Sequence, residues 1–99
     1  MPRPRIFNVN LHDSSEEYRQ RLPLNIDKMM VQLRGSHDVR LAFQQGAAKG
    51  DGPFILISSN ARYEESNIPS HPVADVPIDV YLRCPDADHQ VAEILVWFK

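Results

Sequence analysis

The sequence predicts an all-β chain: a single small antiparallel β-sandwich of the jelly-roll kind, with about seven or eight strands. Three observations predict it. Apolar and polar residues alternate with period two through several segments. β-branched and aromatic residues concentrate in those segments. Turn-forming residues interrupt them roughly every ten residues.

The chain opens on "MPRPR", whose two prolines favour a stiff, extended arm over residues 1–5; the sandwich domain then spans 6–99. In "RIFNVNL", Phe7, Val9 and Leu11 share one side, and Ile6, Asn8 and Asn10 the other. "DSSEEYRQR" is the exception. Asp13 and Glu16 have capping-box spacing, which admits a short helix near residues 14–20.

Residues 24–45 are the test case. Ile26, Met29, Met30 and Leu33 fit one helical face. Period two fits better. Met29, Val31 and Leu33 oppose Met30, Gln32 and Arg34, and Val39, Leu41 and Phe43 oppose Asp38, Arg40, Ala42 and Gln44. With "RGSHD" between them, and Gly35 free to take a positive φ, the two runs read as a β-hairpin. "PFILISS" is a short apolar strand. In "VPIDVYLRC", Val76, Ile78, Val80 and Leu82 oppose Asp79, Tyr81 and Arg83. "QVAEILVWF" closes the set, and residues 60–75 read either as a strand or as a covering loop.

Composition narrows the function. The 99 residues are 42% hydrophobic and 24% charged, ordinary for one globular domain and too apolar for disorder. A domain this small buries only about two thirds of its unfolded surface, so support from a second subunit suits it. A net charge of -2 speaks against a nonspecific grip on nucleic acid. The longest apolar run, Ile94 to Phe98, falls far short of the ~20 residues of a membrane span, and no signal core follows the first arginines. The lone cysteine, Cys84, allows no internal disulfide and suits a reducing compartment.

"GAAKGDG" (Gly46 to Gly52) invites comparison with a phosphate loop. Such loops need a helix after the glycines, whose N-terminal N–H groups meet the anion. Here a strand follows, and Lys49 sits in the wrong place, so the stretch reads as a flexible connection between strands. Cys84, Asp86, Asp88 and His89 crowd into "CPDADH", but match no standard metal spacing and read as a turn. His12, His37, His71 and His89 fall in predicted turns, and Glu16–Glu17 and Glu64–Glu65 are adjacent pairs aimed apart. No catalytic residue, cofactor site or metal site is therefore expected.

The last strand is more informative. With Ala92, Ile94, Val96 and Phe98 inside, Val91, Leu95 and Trp97 lie outside with only Glu93 among them. A strand apolar on both faces needs covering on both, by a neighbouring subunit or by a loop. Val91, Leu95 and Trp97 are the interface candidates, joined by Arg3 and Arg5 of the arm.

The succession "FNVNL…YRQRLPLNIDKMMVQLRGSHDVRLAF", "GPFILISSNARYEESNI" and "VYLRCPDADHQVAEILVWF" resembles small structural proteins of tailed bacteriophages. The resemblance spans nearly the whole chain in segment order, and the proline-rich "ESNIPSHPVADVP" departs from it. It implies a non-enzymatic virion component: a capsid decoration (cement) protein or a head–tail accessory. Its partners would be copies of itself, as a homo-oligomer, or a major capsid or tail protein, with neither nucleic acid nor membrane. Two rivals remain. One is a carbohydrate- or protein-binding module using Tyr18, Tyr63, Tyr81 and Trp97; the other is an α+β regulatory or inhibitor protein with helix over residues 14–49.

Overall fold

A computed structural model describes residues 3–50, 52–66 and 77–99. Among them are eight strands: β1 (Arg5–Leu11), β2 (Tyr18–Arg21), β3 (Ile26–Leu33), β4 (Val39–Ala42), β5 (Ile55–Ile57), β6 (Arg62–Glu65), β7 (Asp79–Arg83) and β8 (Gln90–Phe98). One 3-10 turn, Ala47–Lys49, lies between β4 and β5.

The strands form two four-stranded sheets, ordered β1-β8-β3-β6 and β2-β7-β4-β5. Every ladder is antiparallel. The first strand pairs with the last, β2 with β7, β3 with β6 and β4 with β5. One long ribbon, bent back at residues 43–54, is thus rolled so that successive strand pairs enter alternate sheets. The fold is a jelly roll.

Period two places the core. Val9 and Leu11 of β1, Met29 and Val31 of β3, and Ala92, Ile94 and Val96 of β8 face Val39 and Leu41 of β4 and Val80 and Leu82 of β7. All are buried, and no polar or charged residue among the described ones is. The alternation expected for the first, third, fourth, seventh and eighth strands is therefore the one that packs.

The expected hairpin across Gly35 does not form. β3 pairs with β8 and β6, and β4 with β5 and β7, so residues 34–38 carry the chain from one sheet to the other. Gly35 is absent from the positive-φ positions, which are Gly46, Gly50, Asn25, Asn60 and His89. Its constraint is space, because a Cβ there would run into the Gln90 side chain.

The short helix admitted near residues 14–20 is also absent. Asp13 turns its carboxylate onto Ser15 instead, accepting from the backbone N–H at 2.9 Å and from the hydroxyl at 2.7 Å. That local turn competes with a helical cap, and β2 follows at Tyr18. With strands at β2, β3 and β4, the α+β alternative falls. Arg5 belongs to β1, opposite Val96, so the arm expected over residues 1–5 gives up its last residue to the sheet. Of the segment 60–75, β6 is a strand; residues 67–76, and Val76 with them, lie outside the described residues.

Candidate functional site

The glycine stretch lies at the tip of the rolled ribbon, and its residues 46–50 are built rather than the flexible connection expected. Gly46 and Gly50 take φ of 86° and 111° at the two ends of the 3-10 turn. Ala47 and Ala48 pack with Ala42 and Tyr81 on the outer side of the β2-β7-β4-β5 sheet. Glu17 reaches the turn with both carboxylate oxygens, accepting from the Gly46 N–H at 2.7 Å and the Ala48 N–H at 2.9 Å. Arg83 donates to the Ser14 carbonyl at 2.8 Å and to the Lys49 carbonyl at 3.2 Å. The N–H groups do converge on an anion, as in a phosphate loop, but the anion is the chain's own Glu17.

Several other chemistry-bearing residues are likewise engaged in structure. Cys84 is buried, and burial raises its thiol pKa. Asp88 accepts from the Ser14 N–H at 2.7 Å. His89 stands at φ 57° and donates its backbone N–H to the His12 carbonyl at 3.2 Å. Among the described residues, no three His, Cys, Asp or Glu side chains gather so as to hold a metal. Glu16 pairs with Lys49 at 3.8 Å, Glu64 with Arg62 at 3.0 Å, and Glu65 accepts from the Tyr63 hydroxyl at 3.0 Å. Burial first, and that hydrogen bond second, raise the Tyr63 pKa.

Two apolar surfaces remain. The first is the outer face of the β1-β8-β3-β6 sheet. Ile6, Leu95 and Met30 are register partners across β1, β8 and β3. They form a continuous apolar row, and Ile6, at 66% exposure, is its most open member. Trp97 lies beside the row, with the Lys28 ammonium 4.7 Å from its ring centre. Below the row runs a polar one, Asn8, Glu93, Gln32 and Arg62. In it Glu93 accepts from Gln32 at 3.0 Å and from Arg34 at 3.2 Å. Val91, Leu95 and Trp97 thus lie on the face expected of them, half-buried. Arg3 and Arg5 are exposed, with Arg5 stacked 4.9 Å above Phe7. Ile6 and Met30 were missing from the expected set. Their outward parity was readable, but each is grouped in sequence with polar neighbours.

The second surface lies at the β4–β5 end. Phe43, expected to extend the inner face of β4, stands past the strand end and is 44% exposed. With Leu41, Pro53, Phe54 and Ile55 it lines an apolar cleft of about 300 Å³. Leu56, at 55%, is the second most exposed large apolar side chain described. The Arg40 guanidinium lies 4.6 Å from the Phe54 ring centre. The aromatic residues considered for sugar stacking do not converge. Tyr18 and Tyr63 pack against the core, Tyr81 lies under the 3-10 turn, and Trp97 is on the opposite sheet.

No family model matches the chain, and no curated protein does. A solved structure, the solution NMR structure of a de novo designed double-stranded β-helix, aligns over 96% of this chain and 97% of that one. The identity is 18% and the TM-score 0.52, which supports the jelly-roll topology and carries no function. Among the described residues no helix is long and apolar enough to cross a membrane.

Proposed function

We propose that this chain is a non-enzymatic structural component that works through protein–protein contacts, self-associating by the outer face of its β1-β8-β3-β6 sheet. The observation that carries this is the unbroken row Ile6, Leu95 and Met30 with Trp97 beside it. Sheet faces of small domains are normally polar outside, and a contiguous apolar row on three neighbouring strands marks a contact surface. The engagement of Glu16, Glu17, Glu64, Glu65 and Asp88 in turns and pairs, and of Cys84 in the core, supports a role without catalysis. The setting proposed is a tailed-phage virion, as a capsid decoration or head–tail accessory protein, and its support is the resemblance in segment order. Weak contacts suit such a setting because symmetry multiplies them.

Sedimentation equilibrium tests the contact. The wild type is expected to associate reversibly, and Trp97→Asp or Ile6→Lys to weaken association at least about tenfold, as for a contact at an interface centre. A wild type that stays monomeric at high concentration, or variants that associate equally well, would count against it.

A further inference from the structure

We propose that the β5 edge accepts an extended segment of a partner protein, alternating apolar and acidic residues, as a fifth strand of the β2-β7-β4-β5 sheet. This rests on reading the chain as a contact module, but it uses a different surface from the self-association above.

Three observations point to such a strand. The first is the state of the edges. Among the described residues four strands are edges: β1 carries Arg5, Asn8 and Asn10, β2 reads Tyr-Arg-Gln-Arg, β6 reads Arg-Tyr-Glu-Glu, and β5 is the fourth. Polar and charged residues on an edge discourage pairing with another chain. β5 reads Ile-Leu-Ile and lacks that protection, with Ile55 at 38% and Leu56 at 55% exposure. Strand addition draws affinity from the open backbone groups and specificity from pockets for alternate side chains.

The second is the cleft between Phe43 and Phe54. Its volume of about 300 Å³ adjoins the start of β5 and suits an apolar side chain of an incoming strand.

The third is charge. The strands of this sheet present Arg19 and Arg21 from β2, Arg83 from β7 and Arg40 from β4 on the outer face, with Asp79 the one carboxylate those strands carry there; Glu17 and Glu16, on the same side, are already engaged by the 3-10 turn and Lys49. Arg21 takes Asp79 at 2.9 Å. Arg40 and Arg83 stand directly opposite one another in the β4–β7 ladder, and neither has a carboxylate partner among the described residues. Arg83 turns to backbone carbonyls, while Arg40 leans over Phe54 toward β5. Like charges placed opposite each other cost stability. A carboxylate on the outer face of an added strand would relieve that cost and fix which segment binds. A chain with a net charge of -2 that still gathers arginines on this face is arranged to meet an acidic partner.

The test uses the full chain, labelled with nitrogen-15, and two blocked hexapeptides, one alternating Leu and Glu, the other Leu and Lys. The Leu/Glu peptide is expected to shift the amides of residues 54–58 saturably, and to bind about tenfold more tightly than the Leu/Lys peptide. Arg40→Glu should invert that preference, and Arg40→Gln should abolish it, carrying the test if the charge reversal does not fold. The proposal is overturned if neither peptide produces saturable shifts, or if both bind equally. It is also overturned if the same amides shift with protein concentration alone, since the edge then belongs to a second copy. A monomeric chain that binds the Leu/Glu peptide would remove the sheet-face contact and leave this one intact. A chain that dimerises through Ile6 and Leu95 but ignores the peptide would do the reverse.

Discussion

Glu17 shows how one side chain decides between two readings of a loop. Its carboxylate meets two backbone N–H groups that a phosphate would otherwise suit. Truncation to alanine leaves those part-buried donors unpaired, which costs about 1–3 kcal/mol. Glu17→Ala should therefore lower the urea midpoint and speed hydrogen exchange at Gly46 and Ala48; unchanged exchange there would contradict the assignment. Glu93 makes a second prediction. Its pKa is lowered by the Gln32 hydrogen bond first and by Arg34 after it. The Arg21 hydrogen bond does the same for Asp79. A carboxyl depressed in the folded state adds stability that is complete above its unfolded pKa and is lost as pH falls through the folded one. Stability should thus fall on acidification below about pH 4, and Glu93→Gln should flatten that decline. A variant whose acid limb matches the wild type would contradict it. The sequence places Glu93 on the outer face. It does not show Gln32 and Arg34 closing on it, because Gln32 belongs to β3 and Arg34 follows its end, some sixty residues away.

At the scale of elements, six of the eight strands are legible; β2 falls where the sequence admits a short helix, β6 where it leaves strand or loop open, and the partners are not legible. β3 shows why even the strand was contested. Its ladder with β8 shifts between Ile26 and Lys28. That bulge resets the alternation, so Ile26 and Met29 both point inward although three residues apart. Spacing of three is also the helical signature, and the bulge imitates it. The hairpin error has a different origin. A turn signal reports that the chain changes direction, not whether it re-enters the same sheet. "RGSHD" looks like a hairpin tip but crosses between sheets. The ribbon's real tip, residues 43–54, is too long for a short-turn rule to flag. Gly35 is held by its approach to Gln90, whose amide donates to the Asp88 carbonyl at 3.2 Å. Gly35→Ala should cost about 1 kcal/mol by displacing that side chain. The cost should shrink in a Gln90→Ala background, measured as a double-mutant cycle. Equal costs in both backgrounds would place the constraint in the backbone instead.

For the whole molecule, pairing β1 with β8, β2 with β7, β3 with β6 and β4 with β5 turns a string of alternating segments into one rolled sheet pair. Most of the burial follows from the alternation; Ile26 follows from the bulge, and Ala42, Ala47 and Ala48 from the 3-10 turn on the outer face. The face left outward by the same parity carries the apolar row, so core and candidate surface come from one pattern. Leu95 and Trp97 could be read as surface apolar residues because β8 is apolar on both sides. Ile6 and Met30 needed the register, which puts them beside Leu95. Phe43 and Phe54 needed the tip geometry, which parity does not contain. The most direct measurement is an isotope-filtered NOE experiment on an equal mixture of labelled and unlabelled chains. Contacts between molecules are expected at the Ile6, Met30 and Leu95 methyl groups and at the Trp97 ring. Intermolecular contacts located elsewhere, or none at all in a sample concentrated enough to associate, would contradict the sheet-face assignment.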